Sequence, residues 1–404
     1  MSGDNAAVQA LLTGPEQIIR ATIFGSHYYI GHLILLTFPL DGYNSFSAVC
    51  RTRLHHVILN RIVSSASSGV YFLPCDFCDS RSRAEPGNQT ILDHRMTTTG
   101  VRYRSLSSWL KEMFGEPVRK ITLDAGLGCP NRDGTLGSSG CIYCNPRGSG
   151  TGAQTRGIPL HVQVDEGIAF LSRRYGCRKF IAYFQSFTNT YADPEELVLL
   201  YSEALQRPEV VGLAVGTRPD CVPDPILDLL SDLAGSRLVW IEYGLQSAHP
   251  RTLDLINRGH GPDAFFDAVS RTRERKIPVV AHLILGLPGE SVNDMVETVA
   301  ATAHAGVAGV KLHPLYVIRG TILEQMYLDG RYRPMTEEEA LEATLSVLEA
   351  LPPQVVIHRM TSDPHPEELA TPAWMLDRKG VRRRLYEAME KMNIRQGLRV
   401  ATKA

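Results

Sequence analysis

The sequence is short of the features that mark most specialised proteins. Its 404 residues contain no apolar run of the ~18–20 residues that a membrane span requires. The longest stretch, Tyr28 to Leu40, is interrupted by His32 and Pro39. Eight cysteines in a chain of this length are too few for a disulfide scaffold. Net charge is almost absent: 42 basic against 43 acidic side chains leave −1. That balance excludes a protein held to nucleic acid by bulk charge and leaves only a local patch for such a contact. Lysine is missing from residues 1–95, whose basic charge rests on seven arginines. What is present is ordinary: 44% hydrophobic and 21% charged residues, with 34 glycines and 24 prolines, exclude disordered, collagen-like and coiled-coil chains. No signal-peptide pattern opens the chain. A cytoplasmic location is therefore expected, where clustered cysteines read as metal or redox ligands.

The character of the chain changes near residue 96. Residues 1–95 show scattered serine, paired histidine and no sustained strand or helix period, and the apolar patch Ile30 to Leu36 has no evident partner. They are expected to be a poorly packed N-terminal extension, read as translation from a start upstream of the natural one at Met96. A small accessory domain is the other reading. Beyond Met96, short β-branched or apolar runs at Lys120–Asp124, Lys179–Phe184, Val210–Val215, Leu238–Tyr243, Pro278–Leu285 and Gly309–His313 alternate with helical patterns. Helix starts are legible at Asp193-Pro194-Glu195-Glu196, at Asp224-Pro225 and at Thr336, where Glu339 completes a capping box. Such alternation predicts parallel β/α units joined by right-handed crossovers. The expected fold is α/β: a partial six-unit TIM-like barrel over residues 96–320, with a C-terminal α/β extension, residues 321–404, that closes it. A doubly wound sheet is the alternative. Either architecture puts ligand chemistry at the C-terminal ends of the strands.

Directly after the first strand pattern, a glycine-rich loop carries Cys129, Cys141 and Cys144. Cys141 and Cys144 are spaced to grip one metal centre, and five glycines between 126 and 140 let the backbone fold around a bulky ligand. Three thiolates satisfy three irons of a 4Fe–4S cluster and leave the fourth open, whereas a cluster used only for electron transfer normally takes four cysteines.

From about Arg102 onward the chain resembles the radical S-adenosylmethionine (radical SAM) superfamily, and within it the YhcC-like subgroup, relatives of the radical domain of the elongator catalytic subunit. The resemblance rests on ordered segments: Asp124-Ala125-Gly126 leading to Cys129-Pro130-Asn131-Arg132-Asp133-Gly134-Thr135, and Gly140-Cys141-Ile142-Tyr143-Cys144-Asn145. It continues through Tyr183–Tyr191, Gly216–Asp220, Glu242–Ser247, Leu255–His260 and Gly286–Glu290. The commonest superfamily loop has three residues between its first two cysteines; here there are eleven, a departure shared by this subgroup. The resemblance implies that Cys129, Cys141 and Cys144 hold the cluster, that S-adenosylmethionine chelates the open iron, and that Tyr143 backs the adenine. Gln185 and Thr188 stand where many relatives carry a glutamate turn for the methionine amino group. Arg218 suits the methionine carboxylate and Asp220 the ribose hydroxyls, with Gln246 facing ribose or substrate. The implied activity is reductive cleavage to a 5′-deoxyadenosyl radical that abstracts hydrogen from a substrate no segment names, RNA being one option. The electron donor would be of flavodoxin or ferredoxin type.

Other features have plainer readings. Cys75 and Cys78 could join Cys141 and Cys144 in a zinc site, which makes a zinc-organised, non-catalytic binding protein the alternative function. Cys50, Cys177 and Cys221 read as ordinary thiols, and Gly286–Gly289 as a turn bordering adenine. His282, Lys311, His313 and the pair His358-Arg359 divide evenly between core and substrate-facing roles. Residues 377–404 carry nine lysines or arginines against three acids, with Val381, Leu385, Ala388 and Met392 at helical spacing: a docking helix with a solvated basic face, or an RNA contact. The stretch after the sixth strand is too short for an added acyl-transfer domain.

Overall fold

The computed structural model describes residues 35–40, 43–48, 101–148, 152–153 and 156–400. The chain divides into two compact units, Met1–Asn88 and Gln89–Ala404. In the first, β1 (Leu35–Leu40) pairs antiparallel with β2 (Tyr43–Ala48). This hairpin corrects the expectation that the region holds no strand. The missed signal is Asp41-Gly42, a dipeptide favoured in two-residue hairpin connections. The other expectations for residues 1–95, the start at Met96 and the Cys75/Cys78 pair among them, lie outside the described residues.

The second unit opens with α1 (Leu106–Phe114), capped by Ser105, whose hydroxyl accepts from Ser108 N at 3.1 Å. There follow β3 (Val118–Leu123), α2 (Leu160–Tyr175), β4 (Lys179–Phe184), α3 (Pro194–Ala204), β5 (Val210–Thr217), α4 (Asp224–Ala234) and β6 (Leu238–Gln246). Next come α5 (Pro250–Leu255), α6 (Pro262–Glu274), β7 (Val279–Leu285), α7 (Val292–His304) and β8 (Gly309–Pro314). The closing segment adds β9 (Val317–Ile318), α8 (Ile322–Leu328), α9 (Glu337–Ala350), β10 (Val356–Arg359), β11 (Leu369–Thr371) and α10 (Arg378–Lys391). Thr336 and Glu339 form the expected capping box of α9. Pro223, not Asp224, occupies the cap position of α4, because Pro225 fits one residue deeper in the first turn.

Seven parallel strands, in the order β10-β8-β7-β6-β5-β4-β3, form one curled half-barrel. The sequence reading counted six strands. The seventh, β10, is only four residues long and comes from the closing segment, with α9 as its crossover. Alternation along each strand divides the barrel wall. Outward residues such as Phe180, Ala182, Leu213, Ile241 and Leu283 are apolar and sit beneath the helices, in the core that holds Leu197, Tyr201, Leu230 and Phe265. Inward residues change with height. At the floor, Ile181, Ala214, Trp240 and Val280 pack with Leu106 and Leu110 of α1. Above them the inward positions turn polar, with Glu242, His282 and Lys311. α1 packs against both edge strands, β3 and β10, and Ile357 N donates to Arg104 O at 2.8 Å, so the segment before and through α1 bridges the open side of the sheet.

The C-terminal helix α10 docks as expected through Val381 and Leu385, but Met389 completes the buried stripe in place of Met392. The helix ends at Lys391, so Met392 lies past its last turn and is 53% exposed.

Candidate active site

The loop after β3 lies at the C-terminal ends of the strands and is braced from within. Arg132 donates from Nη2 to Cys144 O at 2.9 Å and to Asn145 O at 2.8 Å, crossing the loop from one side to the other. The crossing requires glycine at 140: φ there is +71°, and a Cβ would lie 2.9 Å from Arg132 Nε. Cys144 N donates to Cys141 O at 3.0 Å, a tight turn that sets the two close thiols side by side.

The loop is braced from outside by the segment after α5. Ile142 N donates to Ile256 O at 3.1 Å, Asn257 Nδ2 to Gly140 O at 2.7 Å, and Asn131 Nδ2 to Asn257 O at 2.7 Å. Arg258, almost wholly buried, donates from Nε to Gly244 O at 3.2 Å and points Nη1 at Cys141 Sγ, 3.6 Å away. Asn131 Nδ2 approaches the same sulfur at 3.7 Å. A guanidinium and an amide thus face one sulfur, the kind of outer contacts that orient a ligand. Burial pushes the Cys144 thiol up, while Arg132 beside it pulls the other way.

A cavity of about 530 Å³ opens beneath this loop, within the range of small-ligand sites. Cys129, Cys141, Cys144, Tyr143, Gln185, Thr188, Arg218 and Gln246 all line it. The turn after β4 carries Gln185 and Thr188 and is tied to both neighbours: Thr188 N donates to Gly128 O at 3.2 Å and Asn189 N to Gly216 O at 3.3 Å. Phe187 in this turn has φ of +60°, and Gln246 at the end of β6 has φ of +76°. Side chains other than glycine rarely adopt that region, and such strain collects at functional sites. Between Gly244 and Gln246 the register with β7 slips by one residue, which aims Gln246 at the cavity. Thr188 Oγ1 is buried there without a hydrogen-bond partner.

Asp220 is the one expected site residue away from this cavity; it lines a neighbouring depression with Gly126, Tyr191 and Cys221. Its carboxylate grips Arg218 in a fork, Nε to Oδ1 at 3.0 Å and Nη2 to Oδ2 at 2.8 Å, and Arg218 Nη1 donates to Arg258 O at 2.9 Å. Asp220 therefore fixes Arg218. Burial opposes its ionisation, but Arg218 outweighs this and holds the carboxyl below its ordinary range. The Gly286–Gly289 turn, expected to border adenine, lines a separate depression with Tyr332 and Met335. Cys177 is buried and Cys221 half-buried, both free thiols.

The reading from sequence gave no roles to Arg132, Asn131, Arg258 or Glu242. Arg258 had a signal: it sits between Asn257, at φ of +52°, and Gly259, at +74°, two left-handed residues in succession around an arginine. Arg132 lies three residues after Cys129 and was quoted only as part of a motif.

The cavity suits a cluster better than a single ion. Among the described residues, three metal-ligating groups whose donor atoms all lie within 4.8 Å of one another occur at His249, Asp294 and Glu297; the three loop thiols are not such a group. One tetrahedral zinc, ~2.3 Å from each sulfur, needs its ligands within about 4 Å of one another. A cube of iron and sulfide holds its corner ligands farther apart.

Comparison with known proteins agrees with this geometry. Residues 126–301 match the Radical SAM superfamily and residues 307–391 the Radical_SAM C-terminal domain. The chain is 37% identical over 271 residues to Protein YhcC of Escherichia coli (strain K12), covering 67% of this chain and 86% of that one. It is 30% identical over 156 residues to the tRNA uridine(34) acetyltransferase of Methanocaldococcus infernus, covering 38% of this chain and 29% of that protein. A solved structure of Methanocaldococcus infernus Elp3 with an N-terminal deletion superposes with a TM-score of 0.55 at 20% identity, over 69% of this chain and 64% of that one; it shows the common fold. The chain is a YhcC-like member of the radical SAM superfamily.

Proposed function

We propose that this protein is a radical SAM enzyme that abstracts hydrogen from its substrate, with Cys129, Cys141 and Cys144 as ligands of a 4Fe–4S cluster. The observation that carries the reading is that three thiols of one glycine-braced loop line a cavity large enough for a nucleoside. When bound, the cluster and S-adenosylmethionine supply a one-electron reduction and a 5′-deoxyadenosyl radical. The chain's own residues hold, orient and enclose. Arg258 and Asn131 orient the Cys141 sulfur, and Arg132 keeps the loop closed. Tyr143, beside Ile284 and Leu315 on the apolar side of the cavity, offers a flat surface for adenine. Arg218 has three of its five N–H donors committed to Asp220 and Arg258 O; the remaining two can meet a carboxylate. Thr188 Oγ1, buried and unpartnered, can accept from an ammonium group, and Gln185 and Gln246 serve ribose or substrate. The floor around Trp240 and α1 excludes water from below.

Nothing favours the zinc-organised alternative: two of its four cysteines, Cys75 and Cys78, lie outside the described residues, and the three loop thiols do not converge as ligands of one ion. RNA is the substrate class with support. The archaeal relative's printed name specifies a tRNA uridine, and α10 presents Arg378, Lys379, Arg382 and Arg383 to solvent, with Arg378 at the cavity rim. We read residues 96–320 as carrying the chemistry and 321–404 as closing it, with a flavodoxin- or ferredoxin-type donor and a cytoplasmic location. Among the described residues no helix is long and apolar enough to cross a membrane.

Anaerobic reconstitution, dithionite reduction and product analysis test the reading. 5′-Deoxyadenosine is expected. Its absence from cluster-loaded protein, where a control enzyme turns over, refutes the catalytic role. tRNA affinity should fall steeply with salt; a flat titration removes RNA.

A further inference from the structure

Beneath the cysteine loop the cavity continues into the barrel lumen, and there the charges do not balance. Around the whole cavity eight lysines and arginines face three carboxylates, Glu242, Asp363 and Glu368. Near the mouth the excess is answered. Arg147 pairs with Glu368, Arg378 with Asp363, and Arg132 and Arg258 donate to backbone carbonyls.

In the lumen Glu242 stands alone. It is fully buried; Oε1 accepts from Trp240 Nε1 at 2.9 Å and Lys120 Nζ at 3.3 Å, and Oε2 from His282 Nε2 at 2.6 Å and Lys311 Nζ at 3.2 Å. Lys311 Nζ also donates to Tyr183 OH at 2.6 Å. His358 Nδ1 stands 3.7 Å from Oε1, so one negative charge is faced by two lysines and two imidazoles. Arg359, a third full cation, shares none of it. The register between β10 and β8 slips by one residue after Ile357, which turns Arg359 toward the cavity. There its Nη2 meets His313, its Nε is sealed from solvent without a partner, and it forms no ion pair among the described residues. Burial works against the charged forms of Lys311, His313 and Arg359. It pushes Lys311 down, aided by Lys120 and Arg359, and it pushes His313 down, aided by Arg359 and His282.

A half-buried cation whose Nε is sealed from solvent and unpartnered is costly to keep unless something answers its charge. Cluster and nucleotide already have partners at the other end of the cavity. We infer that the lumen is a subsite for an anionic oxygen group of the substrate, a carboxylate or a phosphate, received by Arg359 and Lys311 with His313 beside them. The guanidinium fork suits either anion, and Lys311 supplies a point charge to its second oxygen. The inference rests on the proposed radical reading for what the substrate undergoes, but not for the binding itself.

The test is calorimetric titration of cluster-loaded, anaerobic protein containing S-adenosylmethionine, with inorganic phosphate or acetate at constant ionic strength. At least one anion should bind to wild type. Arg359→Gln should weaken that binding at least tenfold and Arg359→Lys by less, with iron content and S-adenosylmethionine affinity unchanged. A preference for phosphate or for acetate identifies which anion the subsite serves. Equal binding in wild type and Arg359→Gln overturns the inference, as does failure of both anions to bind. A parallel fall in S-adenosylmethionine affinity also overturns it, because the subsite would then belong to the cofactor. If Arg359→Gln does not fold, Lys311→Met decides by the same tenfold criterion. Absence of iron from wild type would strike the cluster reading alone, since anion binding is read as heat.

Discussion

The two ends of the cavity treat charge in opposite ways. At the loop end, Arg132, Arg218 and Arg258 each donate to backbone carbonyls, those of Cys144, Arg258 and Gly244. Uncharged carbonyls fix Arg132 and Arg258, and the Asp220 carboxylate together with a carbonyl fixes Arg218, so none of the three depends on a bound ligand for its position. In the lumen, Lys120, Lys311 and His282 converge on a single side-chain carboxylate, and Arg359 is left over. The first end is built to keep its shape whatever occupies it. The second has an unsatisfied charge state that an entering anion completes.

The largest expected effect lies at the loop end. Cys141→Ala should abolish cluster retention while circular dichroism stays that of wild type, because the Cys141 side chain, though buried, belongs to none of the apolar clusters that hold the barrel; unchanged iron and sulfide content would remove Cys141 from the ligand set. The lumen should show the reverse pattern. Glu242→Ala strips the shared carboxylate and leaves Lys120 and Lys311 facing each other, a loss of about 3–5 kcal/mol in denaturant unfolding. If stability changes by less than about 1 kcal/mol, the charges are not held there as described.

Acid should sharpen the contrast. Burial, aided by Lys311, lowers His282 to about 3, and burial against the pull of Glu242 leaves His358 at about 4. Both are neutral in the folded barrel at pH 5, while the unfolded chain binds protons below its ordinary pKa of ~6.5. Stability therefore falls as pH drops from 6.5 to 5, by about 2 kcal/mol for each histidine. Glu242 does not contribute in this window. Burial raises it, but Lys120 and Lys311 hold it well below the usual carboxylate range, so its stabilisation is lost only at still lower pH. A melting temperature flat from pH 7 to 5 would break the picture, and His282→Asn should reduce the slope. The smallest effect joins the two ends. A Cβ at Gly244 would lie 2.6 Å from Arg258 Nη2 and 2.8 Å from Gln246 Nε2, so Gly244→Ala should cost ~1–3 kcal/mol and weaken S-adenosylmethionine binding. Unchanged affinity would mean that Gln246 does not face the nucleotide.

Much of this was legible in the chain. Strands β4 to β7 announce themselves because both faces are covered, so each reads as a largely apolar run, while β3 and β8 carry lysines at positions 120 and 311 and are legible mainly from their place in the alternation. β10 does not, because its four residues end in His358 and Arg359, which serve the lumen rather than the core. The cysteine loop is visible because spacing alone suggests its chemistry. The cations around it are not, since their partners are backbone carbonyls, which carry no sequence signature. Asp220 was misplaced for a related reason: two residues from Arg218, it reads equally well as a second ligand contact or as a brace, and only geometry separates these. Glu242 stands within a motif, yet these ionisable neighbours come from four other strands, and no local pattern brings Lys120, His282, Lys311 and His358 together.

Helix α1 gives the barrel a closed bottom, with Leu106 and Leu110 wedged against Trp240 and Val280. A chamber closed at that end favours entry from the loop side. Under the proposed reaction, a substrate group seated against the lumen cations would have to enter before a nucleotide covers it, and an ordered binding sequence is the expected kinetic pattern.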